Sequence, residues 1–391
     1  MTVSMAGAPP GRIKVLHAYK VFVPDMFGGI PHVIETITAS AAMSSAVVAP
    51  RSFGWGGRDQ RGTTRVQRVA SLGTLSSVPL APTYPFAMAR LAWDADVVAH
   101  HAPFPLTDLA LLGLPEHVAL VIHWHADIVG REWLKRGVAP LIRRALTRAD
   151  RIVVTDDTML ESKALACFRD KCTTVPLGCD VRYWGTLDGP MAQRVAELRR
   201  RKPRLVVAVG RLVGYKGFDV LLHAAKHVDT DVVVIGDGVL RQPLSRLAQQ
   251  LGIAERVEFR GGADRDDVKA HMHAAAVVVV PSVTDAEAFG LVQIEAMAAG
   301  RPVINTALRT AVPRVVRHGL EGLTVPPGDA PALAKAIARL LADPDFAARL
   351  AAGGRQRAFA EFDQSVFQSR IEAVYADALA RRRRRVAMAA L

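Results

Sequence analysis

Glu287 and Glu295 bracket a predicted helix start within Pro281-Ser282-Val283-Thr284-Asp285-Ala286-Glu287-Ala288-Phe289-Gly290-Leu291-Val292-Gln293-Ile294-Glu295. The apolar run Val277–Val280 predicts a buried strand before them. A helix follows from about Gly290 to Ala298, ended by Gly300 ahead of Pro302. Glu287 falls in the loop before that helix. Glu295 falls among Ile294, Ala296 and Met297, where a carboxylate without partners is costly. Ionised carboxylates accept well from ribose hydroxyls, and the first helical N–H groups, at Gly290, Leu291 and Val292, lack partners inside the helix and suit a pyrophosphate. One turn can thus hold a nucleotide's diphosphate and its sugar. The competing readings are a structural ion pair for Glu295 and a solvated loop charge for Glu287.

A second constellation is Gly210-Arg211-Leu212-Val213-Gly214-Tyr215-Lys216-Gly217, which follows the predicted strand Leu205–Val209 and precedes a helix beginning near Phe218. Glycines let a backbone approach phosphate, the helix N-terminus adds free N–H groups, and Arg211 and Lys216 supply full positive charge. Neither the G-x-G-x-x-G fingerprint nor a Walker loop is present here, which speaks against dehydrogenase and P-loop chemistry.

In the first half, His123-Trp124-His125-Ala126-Asp127-Ile128-Val129 leaves an apolar strand, so its side chains emerge at a carboxyl edge, where open α/β sheets bind ligands. Alternation puts His123 and His125 on one side and does not choose between them. His100 and His101 end another strand. Gly28 and Gly29 follow the first strand and suit either a ligand loop or a plain turn. Metal sites at His123/His125 or His271/His273 lack a third ligand at ordinary spacing.

These residues need elements to hold them. Short apolar runs alternate with helical patterns through both halves, which predicts parallel sheets covered by helices. The strands are Ile13–Ala18, Ala46–Ala49, Val97–His101, Leu120–His123, Arg151–Thr155 and Thr173–Val175, then Leu205–Val209, Asp231–Ile235, Val257–Arg260, Val277–Val280, Pro302–Asn305 and Gly322–Val325. The fold class is α/β, with two doubly wound, Rossmann-like domains, 1–185 and 204–362. Residues 363–391 follow as a helix with a basic tail. A chain of 391 residues, half of them apolar, suits two such cores.

Composition bounds the partners. The net charge of +13 favours polyanions, meaning nucleic acid, anionic lipid or phosphorylated substrates. Basic and aromatic residues are not interleaved, and no nucleic-acid-binding signature stands out, so nucleic acid is the weakest of the three. No apolar run approaches spanning length and no leader pattern stands at the N-terminus. Cys167, Cys172 and Cys179 match no zinc spacing and fit a reducing cytosol.

Taken together, the motifs resemble the retaining GT-B glycosyltransferases of family 4, the "group 1" glycosyl transferases. The Glu-x7-Glu signature falls on Glu287 and Glu295, and the basic loop on Gly210, Arg211, Lys216 and Gly217. Glu321–Asp329 and Val175–Asp180 are similar to further landmarks, so the resemblance spans nearly the whole chain. Ala288 stands where most members carry glycine.

The resemblance implies that Arg211 and Lys216 bind the donor phosphates and that Glu295 binds the ribose. It gives Glu287 a hydroxyl of the transferred sugar, and the backbone of Phe289, Gly290, Leu291 and Val292 the pyrophosphate. His125, rather than His123, contacts the sugar or its phosphate across the cleft between domains. Gly28 and Gly29 form a closing loop, and the last helix crosses back to the first domain. It also implies front-face displacement with retention, helped by the leaving phosphate, and no metal or other cofactor. The donor is a nucleotide-diphosphate sugar, with GDP-mannose the first expectation because Trp124–Val129 and the basic loop look most like the mannosyltransferases of bacterial surface polysaccharide. The acceptor is an oligosaccharide or a polyprenyl-pyrophosphate-linked sugar.

Rival readings are an epimerase or phosphorylase on the same fold and a non-catalytic sugar-nucleotide module. A final expectation concerns location. Pro140–Ala149 predicts a helix with Arg143, Arg144 and Arg148 on its outer arc, near Arg131, Lys135, Arg136 and Arg151, and the run Arg381–Arg385 ends the chain's last helix. Taken alone, the first cluster is explained more often by the solvated outer face of a core helix. With the excess positive charge, both clusters predict peripheral docking of a cytoplasmic protein on the inner face of the membrane.

Overall fold

Every strand expected from the apolar runs forms, several of them longer than expected. The computed structural model describes residues 11–25, 29–75, 78–126 and 132–389, the side chains of 132–136 excepted. Its strands are β1 (Ile13–Ala18), β2 (Met43–Pro50), β3 (Gly57–Arg61), β4 (Thr64–Val69), β5 (Thr74–Leu75), β6 (Val78–Pro79), β7 (Val97–Ala102), β8 (Ala119–Trp124), β9 (Arg151–Val154) and β10 (Cys172–Thr174). They continue as β11 (Leu205–Val209), β12 (Asp231–Ile235), β13 (Val257–Gly261), β14 (Val277–Val279), β15 (Val303–Thr306) and β16 (Gly322–Val325).

The chain divides into two units, Met1–Pro176 with Phe367–Leu391, and Leu177–Val366. The first holds an eight-stranded sheet in the order β10-β9-β8-β7-β1-β2-β4-β3, parallel except for β3. The second holds a six-stranded parallel sheet, β13-β12-β11-β14-β15-β16. Both orders grow outward in two directions from their first strand, so each sheet has a switch point, β1/β7 and β11/β14, where neighbouring loops part at the carboxyl ends. β7 and β8 are buried along their whole length, as strands covered on both faces must be.

Two features depart from expectation. The hairpin β3–β4 extends the first sheet although β3 is polar and exposed. Its charged residues close the edge, and the fully buried Arg68 of β4 pairs with Asp59 at 2.8 Å and donates to the carbonyls of Phe22 and Val23. The joint expected after residue 185 falls at 176. Helix Gly189–Arg201 joins the second unit because Arg194 pairs with Asp267 and Arg199 donates to the His273 carbonyl at 2.8 Å.

Helix Gln364–Ala389 turns one face inward, burying Phe367, Ile371, Val374, Tyr375, Ala378, Leu379 and Arg382. In the first unit Gln368 donates to the Thr36 carbonyl at 2.6 Å and Tyr375 reaches His123. No described helix is long and apolar enough to cross a membrane.

Candidate active site

The second unit brings both sequence motifs to its switch point. After β11 the chain turns through Gly214–Lys216 into helix Phe218–Ala225, and after β14 it runs through Pro281–Gly290 into helix Leu291–Ala298. Gly217 adopts φ +66°, and a Cβ there would stand 2.1 Å from the Pro281 carbonyl oxygen, so glycine lets the loops touch. The Val283 amide donates to the Tyr215 carbonyl at 2.8 Å. Lys216 and Glu287 close the contact as an ion pair, and Ser282 donates to the same carboxylate oxygen at 3.0 Å.

The burial of the two glutamates differs from expectation. Glu287, for which a solvated loop charge was the competing reading, is buried against Lys216 and Ser282. Glu295, expected deep among apolar neighbours, is half-buried. Successive helical residues face different ways, so apolar sequence neighbours do not bury it. Glu295 lies near Cys179, whose thiol is pushed up first by burial and then by this charge.

Gly290 takes φ +74° and opens helix Leu291–Ala298, where a Cβ would meet the Gln293 side chain at 2.8 Å. Phe289 is buried. Its carbonyl accepts from Gln293 at 3.0 Å, and Asn305 donates to Gln293 at 2.8 Å. These bonds fix the turn and leave the amides of Leu291 and Val292 at the helix start without intrahelical partners. Arg211 is exposed beside this loop pair. An exposed guanidinium, a paired lysine, two carboxylates and a helix N-terminus together can bind a diphosphate and hydroxyls.

Sequence reasoning did not single out Ser282 or Thr310. Ser282 is fully buried against Glu287, and Thr310 donates to the Glu287 carbonyl at 2.9 Å. The position of Ser282 directly after a strand was the available signal.

The first unit gathers histidines at its own switch point. His17 lies on β1, His100 and His101 on β7, His123 on β8 and His125 just beyond it. His101 and His123 are register partners and stack at 4.6 Å, while His123 meets the Tyr375 hydroxyl at 2.8 Å. Burial lowers His17 and His125 to about 3 and holds His101 and His123 well below the usual range, so these rings are neutral. His125 is almost covered, at 7% exposure. His100 turns to the other face and meets Asp108 at 3.0 Å. Of the glycine pair, Gly29 opens helix Gly29–Thr38, while Gly28, like Asp127, Ile128 and Val129, lies outside the described residues. His271 and His273 bond the carbonyls of Asp267 and Trp184 as core histidines.

A family model described as glycosyl transferase 4-like domain matches residues 37–178, and one described as glycosyl transferases group 1 matches residues 192–357. The chain is 29% identical over 355 residues to O-antigen chain mannosyltransferase C of Escherichia coli, covering 88% of this chain and 93% of that one. It is 30% identical over 357 residues to D-rhamnosyltransferase WbpZ of Pseudomonas aeruginosa, covering 88% and 91%. Its fold is similar to that of Anabaena HepE, crystallised in complex with UDP, with a TM-score of 0.75 at 20% identity over 93% of this chain and 100% of that one.

Proposed function

We propose, from the premise that this chain belongs to the group 1 glycosyl transferases and is a glycosyltransferase of GT-B fold, that it moves a hexose from a nucleotide-diphosphate sugar with retention during bacterial surface-polysaccharide synthesis. The observation that carries this reading is the joined pair of loops at the β11/β14 switch point, where Lys216 and Glu287 meet beside a free helix start. Arg211, Lys216 and the amides of Leu291 and Val292 neutralise the departing diphosphate, a role that needs no metal. Glu295 accepts from the ribose, and Glu287 from a hydroxyl of the transferred sugar. In front-face displacement the C1–oxygen bond to the diphosphate breaks as the acceptor oxygen bonds on the same face, and the acceptor proton passes to the departing phosphate.

The UDP complex of the Anabaena structure supports a sugar-nucleotide donor. Two relatives named as mannosyl- and rhamnosyltransferases favour a mannose-type donor, GDP-mannose first. A lipid-linked acceptor is supported by a cavity of about 670 Å³ in the first unit, lined by Trp124, Ile142, Leu146 and Phe168 with Arg143 and Lys163. Such a lining suits an apolar chain bearing an anionic head.

Release of nucleoside diphosphate from GDP-mannose, UDP-glucose, UDP-galactose and UDP-N-acetylglucosamine, each with and without EDTA, tests the reading. GDP-mannose should turn over fastest and EDTA should change little. The anomeric coupling of the product reports retention. Activity abolished by EDTA and restored by manganese would overturn the metal-free mechanism, and turnover of none of the four donors would overturn the donor class.

A further inference from the structure

His125 does not stand alone. His17 Nδ1 lies 3.1 Å from His101 Nε2, and His101 Nδ1 lies 2.9 Å from His125 Nε2. The ring centres are 5.4 and 5.2 Å apart, with planes 27° and 8° from parallel. That separation and near-coplanarity are what two imidazoles adopt when they meet edge to edge through one N···N bond. Face-to-face stacking brings ring centres closer, as His101 and His123 show at 4.6 Å. The three rings are therefore a hydrogen-bonded chain in which His101 spends both nitrogens on its neighbours, with His123 stacked against its face.

A neutral imidazole has one N–H and one acceptor nitrogen, so all the protons along this chain point the same way. The far end sets the direction. His17 Nε2 is buried, and no group among the described residues bonds it. An orphaned buried N–H is the rarer defect, so this nitrogen carries the lone pair and the proton of His17 sits on Nδ1. His17 then donates to His101 Nε2, His101 donates from Nδ1 to His125 Nε2, and the proton of His125 is left on Nδ1.

We propose that His101, backed by His17, is a positioning residue that fixes the orientation and tautomer of His125, so that His125 offers an Nδ1–H donor to a substrate oxygen. The proposal rests on the reading that His125 contacts substrate. A donor there suits a sugar hydroxyl or a phosphate oxygen that gains negative charge as the donor bond breaks. Burial, which keeps all three rings neutral, preserves the one-way order of the chain.

Three substitutions of His101 separate positioning from filling space. Asparagine places polar atoms near the Nδ1 position and retains the bond to His125, glutamine reaches toward Nε2 and retains the bond to His17, and phenylalanine keeps only the ring. His101→Phe and His101→Gln should each lower kcat by about tenfold or more while the donor KM changes little, and His101→Asn should recover most of the loss. The ¹⁵N shifts of histidine-labelled wild-type protein should show His125 protonated at Nδ1. A His101→Phe enzyme as fast as wild type beside an inactive His125→Ala enzyme would overturn the relay and leave the glycosyltransferase reading standing. A wild-type His125 protonated at Nε2 would overturn the relay whatever the variants do. Full turnover by His125→Ala would instead refute the substrate contact, with the tautomer still judged by the shifts. If His101→Phe unfolds, the contrast of asparagine with glutamine and the wild-type spectrum decide.

Discussion

The ammonium of Lys216 is paired with the carboxylate of Glu287, with 15% and 10% of their side chains exposed, so the charge proposed to bind phosphate is held against the one proposed to bind the sugar. Glu287→Gln frees Lys216. Turnover should fall about a hundredfold, while affinity for the nucleoside diphosphate holds or tightens, because phosphate no longer competes with the carboxylate. Calorimetric titration beside donor turnover checks this. A parallel loss of both would mean that Glu287 merely holds the loops together. Lys216→Ala leaves a buried carboxylate with Ser282 alone, and should destabilise the fold by about 3–5 kcal/mol as well as slow the reaction.

Arg211 and Glu295 separate chemistry from binding more cleanly, because neither is deeply buried. Arg211→Ala should leave the melting temperature unchanged and reduce kcat by about 10²–10³, the usual loss when one donor to developing charge is removed. Glu295→Ala should weaken nucleotide binding by about ten- to a hundredfold through loss of a charged acceptor for ribose. Unchanged nucleotide affinity in that variant would refute the ribose contact.

What was legible in the sequence follows physical range. Strands β11, β12 and β14 were visible because both faces are covered, making each an apolar run bounded by turn residues. Hairpin β3–β4 was not, because Gly57–Arg61 is polar and holds its place by backbone pairing and by the buried Arg68, which looks like any surface arginine in the sequence. The loops Gly210–Gly217 and Pro281–Gly290 were legible since glycines and charges sit together locally. The relay was not. His17 and Tyr375 come from opposite ends of the chain, and only strand register and the docking of helix Gln364–Ala389 bring them to His101 and His123.

Those neutral histidines make stability depend on pH in a definite direction. In the fold, His17 and His125 stand at about 3 and His101 and His123 well below normal, while the unfolded chain protonates near pH 6.5. Below that value the unfolded state binds more protons, so stability falls as pH drops, by about 1.4 kcal/mol per unit for each such ring. Urea midpoints should be flat above about pH 7.5 and drop steeply from 6.5 toward 5, a window above the carboxylate range. His273, lowered to about 4, adds to the slope, and His17→Phe should reduce it. Equal midpoints at pH 5 and 7.5 would contradict the buried neutral cluster.

Of the basic residues expected to meet a membrane, Arg131 and the side chains of Lys135 and Arg136 lie outside the described residues, and the described arginines divide into two sets. Arg382 is buried and bonds Asp150, Glu116 and the Arg148 carbonyl, while Arg381 pairs with Asp377, Arg385 with Asp150, and Arg151 with Asp377. Arg148 donates to the Val118 carbonyl at 2.7 Å. These residues fasten helix Gln364–Ala389 to the first unit, so Arg382→Ala should lower the melting temperature, the loss from breaking a buried network being about 3–5 kcal/mol. Arg143, Arg144, Arg383 and Arg384 remain exposed on that unit, and each is worth about 1 kcal/mol near anionic lipid. Charge reversal at these four should abolish co-sedimentation with phosphatidylglycerol vesicles at low salt without changing the melting temperature. Wild-type binding to these vesicles should fade as salt shortens the screening length, and neutral phosphatidylcholine vesicles should bind little at any salt. Equal binding of both vesicle types, or retention by the charge-reversed protein, would show that these arginines do not dock the enzyme on a membrane.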